Sequence, residues 1–254
     1  MSTGRLTIVG LGPGPAEWVT PAASAAVADA SHILGYDAYV ARLTPAPGQI
    51  VHPTSNRVEL DRANDALTLA AQGHRVVLVS GGDPGVFAMA AAVFEALDHG
   101  PPDWRTLDVR VEPGVTAMLA AASRVGAPLG HDFCAISLSD VLKPWDVIAR
   151  RLTLAAQADF VIALYNPASK TRPDQIHRAF EILSSVRDPQ TPVILARACG
   201  RPDEDITVTS LDQAHAHPID MRTLVIVGSS ATRTLPRPNG AAPWVYTPRF
   251  ARPA

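Results

Sequence analysis

The sequence is poor in lysine and cysteine and has no strong excess of charge. Lysine occurs only at Lys143 and Lys170, so arginine supplies nearly all of the 22 basic residues. With 24 acidic residues the formal net charge is -2, which argues against nucleic acid as the main partner. Cys134 and Cys199 show neither metal-binding nor redox spacing, so we expect two buried thiols in a reducing cytoplasm.

Long apolar runs are also missing. The hydrophobic content is 47%, yet no apolar run approaches the ~20 residues that span a bilayer. A strand is predicted close to the start, at residues 6–9, so we expect no signal peptide. These features are typical of a cytoplasmic globular protein, and 254 residues are enough for one large domain or two smaller ones.

Several motifs that would define a reaction are absent. Neither lysine follows a glycine, which excludes a Walker loop, and there is no His-Glu-x-x-His helix or Gly-x-Ser-x-Gly elbow. The loop at 10–15 begins like a dinucleotide fingerprint, but Pro15 stands where the third glycine belongs. We therefore expect this loop to be a rigid wall or a strand terminator, and the sequence predicts no metal site.

The most informative segment is 79–86, which reads Val-Ser-Gly-Gly-Asp-Pro-Gly-Val. An apolar run at 75–79 predicts a strand before it, and the small residues of 86–97 predict a helix after it. The paired glycines offer backbone amides that a ligand can approach closely. Asp83 directly follows the strand, and open α/β sheets place their ligands at the carboxyl ends of strands. The pattern therefore predicts a ligand-binding turn.

A second turn of the same kind follows the strand predicted at 107–111. Residues 112–118 read Glu-Pro-Gly-Val-Thr-Ala-Met and lead into another helix of small residues. Strands and helices alternate up to this point, which indicates a mostly parallel sheet with helices on its faces. The chain is therefore predicted to be an α/β protein of two domains, 1–113 and 114–254.

The second half places polar loops after three further predicted strands. These loops are at 137–140, 165–173 and 198–202. His131 and Asp132 precede the first of these strands, and they are either an oriented imidazole with its carboxylate or a polar turn. Loops shaped for a ligand, without an evident nucleophile or metal, favour a cofactor that carries its own reactivity, such as S-adenosylmethionine.

These segments together resemble the tetrapyrrole (precorrin) methylases of cobalamin biosynthesis. The motifs shared with the family in general are Gly-x-Gly-Pro-Gly at 10–14, Ser-Gly-Gly-Asp-Pro at 80–84 and Pro-Gly-Val-Thr-Ala at 113–117. The motifs shared with its subgroup that methylates C-17 of precorrin-3B are residues 126–140, Tyr-Asn-Pro at 165–167 and Asp-Met at 220–221. Each motif alone is weak, but their order along nearly the whole chain is highly specific.

The resemblance implies a fold and a reaction. It implies two α/β domains with S-adenosylmethionine in the crevice between them, and a homodimer. It implies methyl transfer to C-17 of precorrin-3B with ring contraction to precorrin-4, which leaves S-adenosylhomocysteine. The positions of this chain that match the cofactor-binding positions of the family are Pro13, Gly81, Gly82, Asp83, Val86, Thr116, Ala117, Asn166, Ala198 and Cys199.

The implied substrate carries many carboxylates, so we expect basic residues at the mouth of the crevice. The candidates are Arg42, Arg57, Lys143, Arg150, Lys170 and Arg172, although each could also be an ordinary solvated charge. Ring contraction also requires that protons be moved. The polar groups predicted to take part in catalysis or substrate contact are Ser139, Asp140, Tyr165 and His131.

Three other functions remain open from the residues. The same fold could methylate cobalt-precorrin-3 or another precorrin carbon. The chain could instead be a tetrapyrrole carrier, which would have no use for glycine turns arranged around a nucleoside. A dehydrogenase is disfavoured by Pro15 and by the absence of a ribose-binding acid after the second strand, where Leu34, Gly35 and Tyr36 stand.

Overall fold

The computed structural model describes residues 4–55, 58–238 and 241–250. The chain divides into two compact units, Met1–Ala117 and Met118–Ala254. The division falls at the start of a helix, a few residues beyond the boundary predicted after position 113. Strands and helices alternate along the first unit and are mixed along the second, and the predicted α/β class is confirmed.

The first unit contains a five-stranded parallel sheet in the order β3-β2-β4-β1-β5. Its strands are β1 Arg5–Gly10, β2 His32–Tyr36, β3 Ile50–Thr54, β4 Arg75–Ser80 and β5 Asp108–Glu112. All the pairings are parallel, so the carboxyl ends of the five strands lie at one edge. That edge is where the predicted turns at 10–14, 80–84 and 113–117 are found.

Helices cover both faces of this sheet. They are α1 Pro21–Asp29, α2 Asp37–Val40, α3 Glu59–Ala71 and α4 Met89–His99. Successive residues of β4 point to opposite faces, so Leu78 packs in the core beneath α3 and α4, while Val77 and Val79 pack in the core beneath α1. The continuous apolar run that predicted β4 is therefore a strand buried on both faces.

One predicted helix begins later than expected. The helix predicted from Val86 begins only at Met89, because Phe87 has a φ of 51° that a helix does not accommodate. Helix α2 is short and ends at Val40. Strand β3 was not predicted; its Pro53 is tolerated because β3 lies at the edge of the sheet.

The second unit has a mixed sheet in the order β10-β9-β11-β8-β7. Its strands are β7 Phe133–Ser137, β8 Val161–Tyr165, β9 Pro192–Arg197, β10 Asp205–Ser210 and β11 Thr223–Val227. Strands β7 and β8 pair in parallel, and β11 runs antiparallel to both β8 and β9. The carboxyl ends of β7, β8 and β9 therefore share one edge, as the predicted loops after them require.

Helices α6 Trp145–Gln157 and α7 Gln175–Ser184 pack on this mixed sheet through a single apolar core. Helix α5 Ala117–Val125 leads into β6 Gly126–Ala127, which pairs with β13 Trp244–Tyr246, and β13 pairs in turn with β12 Arg233–Leu235. The aromatic segment near the end of the chain thus forms a strand, as predicted. Within the part of the chain that is described, no helix has the length and apolar character needed to cross a membrane.

Three histidines lie together near the amino ends of the first sheet. The His32 ring stacks on His52 at a centroid distance of 5.3 Å and lies 4.3 Å from the His74 ring. His32 is buried, and its Nδ1 is hydrogen-bonded to Ser31 Oγ at 3.1 Å. Burial lowers the pKa of His32, and the neighbouring His74 and His52 lower that pKa further.

The folded protein should therefore lose stability in mild acid. Since the pKa of His32 is lower in the folded chain than its ordinary 6.5, the unfolded chain binds the proton more readily, and stability present above that value is lost as the pH falls through the folded pKa. Urea unfolding of the wild type at several pH values should show this decline. His32→Phe should flatten it, and a variant at the exposed His99 should leave the slope unchanged. An unchanged slope in His32→Phe would contradict the assignment.

Candidate functional site

The turns that follow β1 and β4 are hydrogen-bonded to each other at the carboxyl edge of the first sheet. The Leu11 N–H donates to the Ser80 carbonyl at 2.9 Å, and the Gly12 N–H donates to the Gly82 carbonyl at 3.1 Å. Gly12 and Gly82 have φ values of 61° and 66°, which glycine adopts without the strain that a side chain would cause. The predicted Gly81-Gly82 turn is therefore held in one backbone frame with the loop that carries Pro13.

The turn that follows β5 joins the same frame. A Cβ atom placed on Gly114 would lie 2.3 Å from the Gly82 carbonyl oxygen and 2.8 Å from the Gly10 Cα. A Cβ atom on Gly10 would lie 2.7 Å from the Gly114 Cα. Three backbone turns thus meet where no Cβ atom fits on Gly10 or Gly114, and we call Gly10, Gly82 and Gly114 the glycine junction.

Asp83 ties this junction together through both oxygens of its carboxylate. Oδ1 accepts the Gly85 N–H at 2.8 Å, and Oδ2 accepts the Gly114 N–H at 3.0 Å. Asp83 was predicted to contact a cofactor. The structure gives it the additional role of orienting the backbone amides of two turns, and it brings the predicted Val86, Thr116 and Ala117 to the same edge.

Arg42, which was predicted to face the substrate, has a structural role in the loop that follows β1. Its guanidinium donates to the carbonyl oxygens of Leu11 at 2.6 Å, Gly12 at 2.8 Å and Gly14 at 2.9 Å. These three bonds hold the loop around Pro13 in place. Arg42 therefore stabilises the loop around Pro13.

The second unit also concentrates unusual backbone at the carboxyl edge of its sheet. Asn166 and Ala198 directly follow β8 and β9, and their φ values are 53° and 50°. The side chain of Asn166 donates from Nδ2 to Ser137 Oγ at 2.9 Å. Strained positions of this kind cost about 1–3 kcal/mol each and cluster at functional sites. Both residues were predicted to bind a cofactor, and both lie where the sheet places ligands.

A polar cluster lies beyond β7. Gln175, at the start of α7, donates from Nε2 to Asp140 Oδ2 at 3.1 Å, and Arg172 Nη1 lies 3.7 Å from Asp140 Oδ1. Ser139 is close by in sequence, and its N–H donates to Ser137 Oγ at 3.3 Å. Asp140 and Arg172 were predicted separately, and the structure brings them together. Gln175 was missed, because nothing in its local sequence distinguishes it from any helical glutamine.

Comparison with known proteins identifies the family to which this chain belongs. The profile of the Tetrapyrrole (Corrin/Porphyrin) Methylases matches residues 5–215. This chain belongs to the tetrapyrrole methylase family. It is 59% identical over 248 residues to a precorrin-3B C(17)-methyltransferase from Sinorhizobium sp, an alignment that covers 98% of this chain and 97% of the relative.

Solved structures of tetrapyrrole methylases agree with this assignment. The methyltransferase CobJ superposes with a TM-score of 0.91 at 53% identity, over 96% of this chain and all of that one. The uroporphyrin-III C-methyltransferase from Thermus thermophilus, solved in complex with S-adenyl homocysteine, superposes with a TM-score of 0.67 at 25% identity, over 89% of this chain and 97% of that one. The predicted family, fold and methyltransferase class are confirmed.

In this tetrapyrrole methylase, the predicted catalytic residues do not form one group. His131 precedes β7, where the Asp132 carbonyl accepts the first N–H of β8, from Val161. Ser139 and Asp140 follow the other end of β7. At ~3.3 Å per residue the strand separates His131 from them by roughly 15–20 Å. His131 lies in the turn before β7, where its Nδ1 accepts the Asp132 N–H at 2.8 Å, and its part in catalysis stays a prediction.

Tyr165 lies at the carboxyl edge of its sheet, but its hydroxyl already has a hydrogen-bond partner within the protein. Its hydroxyl oxygen accepts the Met118 N–H at 3.1 Å, in the first turn of α5. An N–H in the first turn of a helix has no partner within the helix, so Tyr165 supplies one. This position links β8 to α5 and fixes the tyrosine ring in place.

The thiol of Cys199 is buried in the turn after β9. Burial, with Glu204 nearby, raises the pKa of Cys199 to about 11, so the thiol stays protonated at neutral pH. Glu204 accepts from Arg124 Nε at 2.9 Å. Cys199 therefore contributes shape and packing to the turn after β9.

The predicted basic residues differ in their surroundings. Lys143 is partly buried, and burial together with the adjacent Arg151 lowers its pKa. Arg150 and Lys170 are exposed, and Arg57 lies outside the described residues. Among the residues with described positions, no three His, Cys, Asp or Glu side chains are grouped so that they could hold a metal ion.

Proposed function

We propose that this chain transfers the methyl group of S-adenosylmethionine to C-17 of precorrin-3B, with ring contraction to precorrin-4. The near full-length identity of 59% to a relative named for that reaction supports the substrate. The glycine junction is the structural observation that carries the proposal, because it fixes three turns at the edge where α/β sheets bind nucleosides. The chain then works as a cytoplasmic homodimer.

The residues present fit S-adenosylmethionine. A nucleoside can approach Gly82, where an added Cβ atom would lie no closer than 3.9 Å to its nearest contacts, and Asp83 fixes the amides of the adjoining turns. The side of Gly81 that lacks a Cβ atom is packed against the Tyr39 ring. In the second unit, Asn166 and Ala198 hold left-handed backbone next to the predicted Cys199. Pro13, Val86, Thr116 and Ala117 complete the proposed set, and its location in an interdomain crevice stays a prediction.

The bound cofactor supplies a methyl group that its sulfonium already activates. The task of this chain is then to orient donor and acceptor and to exclude water. The rigid turns of the glycine junction suit that task, since they cannot adjust without breaking several backbone hydrogen bonds. Lys143, Arg150, Lys170 and Arg172 are proposed to bind the carboxylates of the substrate, with Ser139, Asp140 and Tyr165 as its polar contacts.

The test is a reaction of the purified chain with precorrin-3B and S-adenosylmethionine that carries an isotopically labelled methyl group. Mass spectrometry should show labelled product together with S-adenosylhomocysteine, and nuclear magnetic resonance should place the label at C-17. A label at another carbon would overturn the regiochemistry. Turnover of the cobalt-containing substrate alone would favour the alternative route.

Calorimetry with S-adenosylhomocysteine separates an enzyme from a carrier. An enzyme of this kind binds its nucleoside product with measurable heat and with a rise in melting temperature. Binding of a tetrapyrrole without any binding of S-adenosylhomocysteine would show a carrier and overturn the proposal.

A further inference from the structure

Gln175 is buried and incompletely hydrogen-bonded. Only 6% of its surface is exposed. Its Nε2 donates to Asp140 at 3.1 Å, whereas its Oε1 has no hydrogen-bond partner among the described residues. Arg172 Nη1, which faces the same carboxylate from 3.7 Å, is buried and also lacks a hydrogen bond within that part of the chain.

The orientation of the Gln175 amide follows from Asp140. An ionised carboxylate only accepts hydrogen bonds, so the amide must turn its NH₂ group toward Asp140 and its oxygen away. An amide flip would place two acceptors against each other. The missing partner of Oε1 is therefore a consequence of the Asp140 contact, and leaving such an atom unpaired is costly in a buried place.

Arg172 is held independently of that contact. The Ser169 N–H donates to the Arg172 carbonyl at 2.9 Å, and the Arg172 N–H donates to the Ser169 carbonyl at 3.0 Å. This two-way bonding makes a tight turn in the loop between β8 and α7. Arg172 and Gln175 are thus anchored separately. Arg172 Nη1 is a donor without a hydrogen bond among the described residues, Gln175 Oε1 is an acceptor without one, and both residues lie around the Asp140 carboxylate.

We propose that Gln175 and Arg172 together recognise one protonated oxygen substituent of the tetrapyrrole substrate, a hydroxyl or a carboxylic acid. The substituent donates to Gln175 Oε1 and accepts from Arg172 Nη1, so that both buried atoms are satisfied. Asp140 is a positioning residue that sets the direction of the amide. This inference rests on the proposed function, since it names the substrate contact of the same site.

The experiment compares Gln175→Met, Arg172→Met and the double variant with the wild type. Methionine matches the length of glutamine and removes both of its polar side-chain atoms, and at position 172 it removes the guanidinium. With precorrin-3B varied at saturating S-adenosylmethionine, each single variant should raise KM about tenfold, because the substituent loses one partner. The two residues share one substituent, so the double variant should fall clearly short of the roughly hundredfold product of independent effects.

Gln190 provides the matched control. It also donates from Nε2 to an aspartate, Asp212, at 3.2 Å, but it is exposed. Gln190→Met should keep the wild-type KM, and every variant should bind S-adenosylhomocysteine with an affinity within about twofold of the wild type, as a calorimetric titration would show.

Unchanged KM in both single variants, or fully additive effects, would overturn the inference. If Gln175→Met does not fold, Arg172→Met and Arg172→Lys still test the inference. Loss of the guanidinium alone must raise KM for precorrin-3B. A wild type that does not turn over precorrin-3B at all would overturn the proposed function instead, so the two failures are distinguishable.

Discussion

Gly114→Ala is expected to abolish measurable binding of S-adenosylhomocysteine. The added Cβ atom would lie 2.3 Å from the Gly82 carbonyl oxygen and 2.8 Å from the Gly10 Cα. Both are backbone atoms of turns that are bonded to each other, so neither can move without opening the junction. Overpacking of this kind costs ~1–3 kcal/mol, and here the displaced atoms are those proposed to hold the cofactor. Isothermal titration calorimetry measures the loss directly.

Gly48→Ala is the control for this variant. Gly48 has a φ of 90°, but a Cβ atom there would meet nothing within 4 Å. Alanine should therefore cost about 1–2 kcal/mol of stability through backbone strain, while the affinity for S-adenosylhomocysteine stays at the wild-type value. Normal binding by Gly114→Ala would show that the glycine junction does not hold the cofactor.

Asp159→Asn should reduce the free energy of unfolding by about 3 kcal/mol, because it leaves a buried charge unpaired. The carboxylate of Asp159 is itself 45% exposed, but it pairs with Arg187, whose side chain is only 4% exposed. Burial lowers the pKa of the Arg187 guanidinium, and Asp159 opposes that shift. Asparagine tolerates the φ of 60° at this position, so the substitution removes charge without adding backbone strain. Urea unfolding measures the difference.

Asp108→Asn is the matched comparison for this ion pair. Asp108 and Arg110 pair at 2.8 Å with side chains that are 41% and 55% exposed. Exposed pairs contribute roughly 0–1 kcal/mol, so this variant should unfold almost like the wild type. Equal losses in the two variants would refute the view that burial makes the Asp159–Arg187 pair important.

Local chemistry explains why much of the fold is predictable. Thr20 and Pro21 predict the start of α1, and Thr20 Oγ1 does accept the Ala23 N–H at 3.1 Å. Apolar runs predict the inner strands, because a strand covered on both faces carries mostly apolar residues. The glycine turns are visible for a similar reason, since glycine adopts a positive φ without the strain that a side chain causes.

The contacts that the sequence did not predict have a common feature. They join residues that are distant along the chain. The bond from Gly114 to Asp83 spans 31 residues, and the bond from Gln175 to Asp140 spans 35. Neither spacing leaves a periodic signal. Arg42 shows the same limit, because a side chain that binds three loop carbonyls looks in sequence like any surface arginine.

The sequence by itself determined the α/β class, the family and the turns that end the strands, because backbone conformation and burial impose residue types locally. Only the tertiary structure decided what the polar side chains do. In the folded chain, Asp83 and Arg42 form hydrogen bonds to loop backbone. His131 and Asp140 lie at opposite ends of β7, and Gln175 and Arg172 both lie against Asp140. A charged or polar group takes its role from whichever partner the fold brings within hydrogen-bond distance, and no stretch of sequence contains that partner.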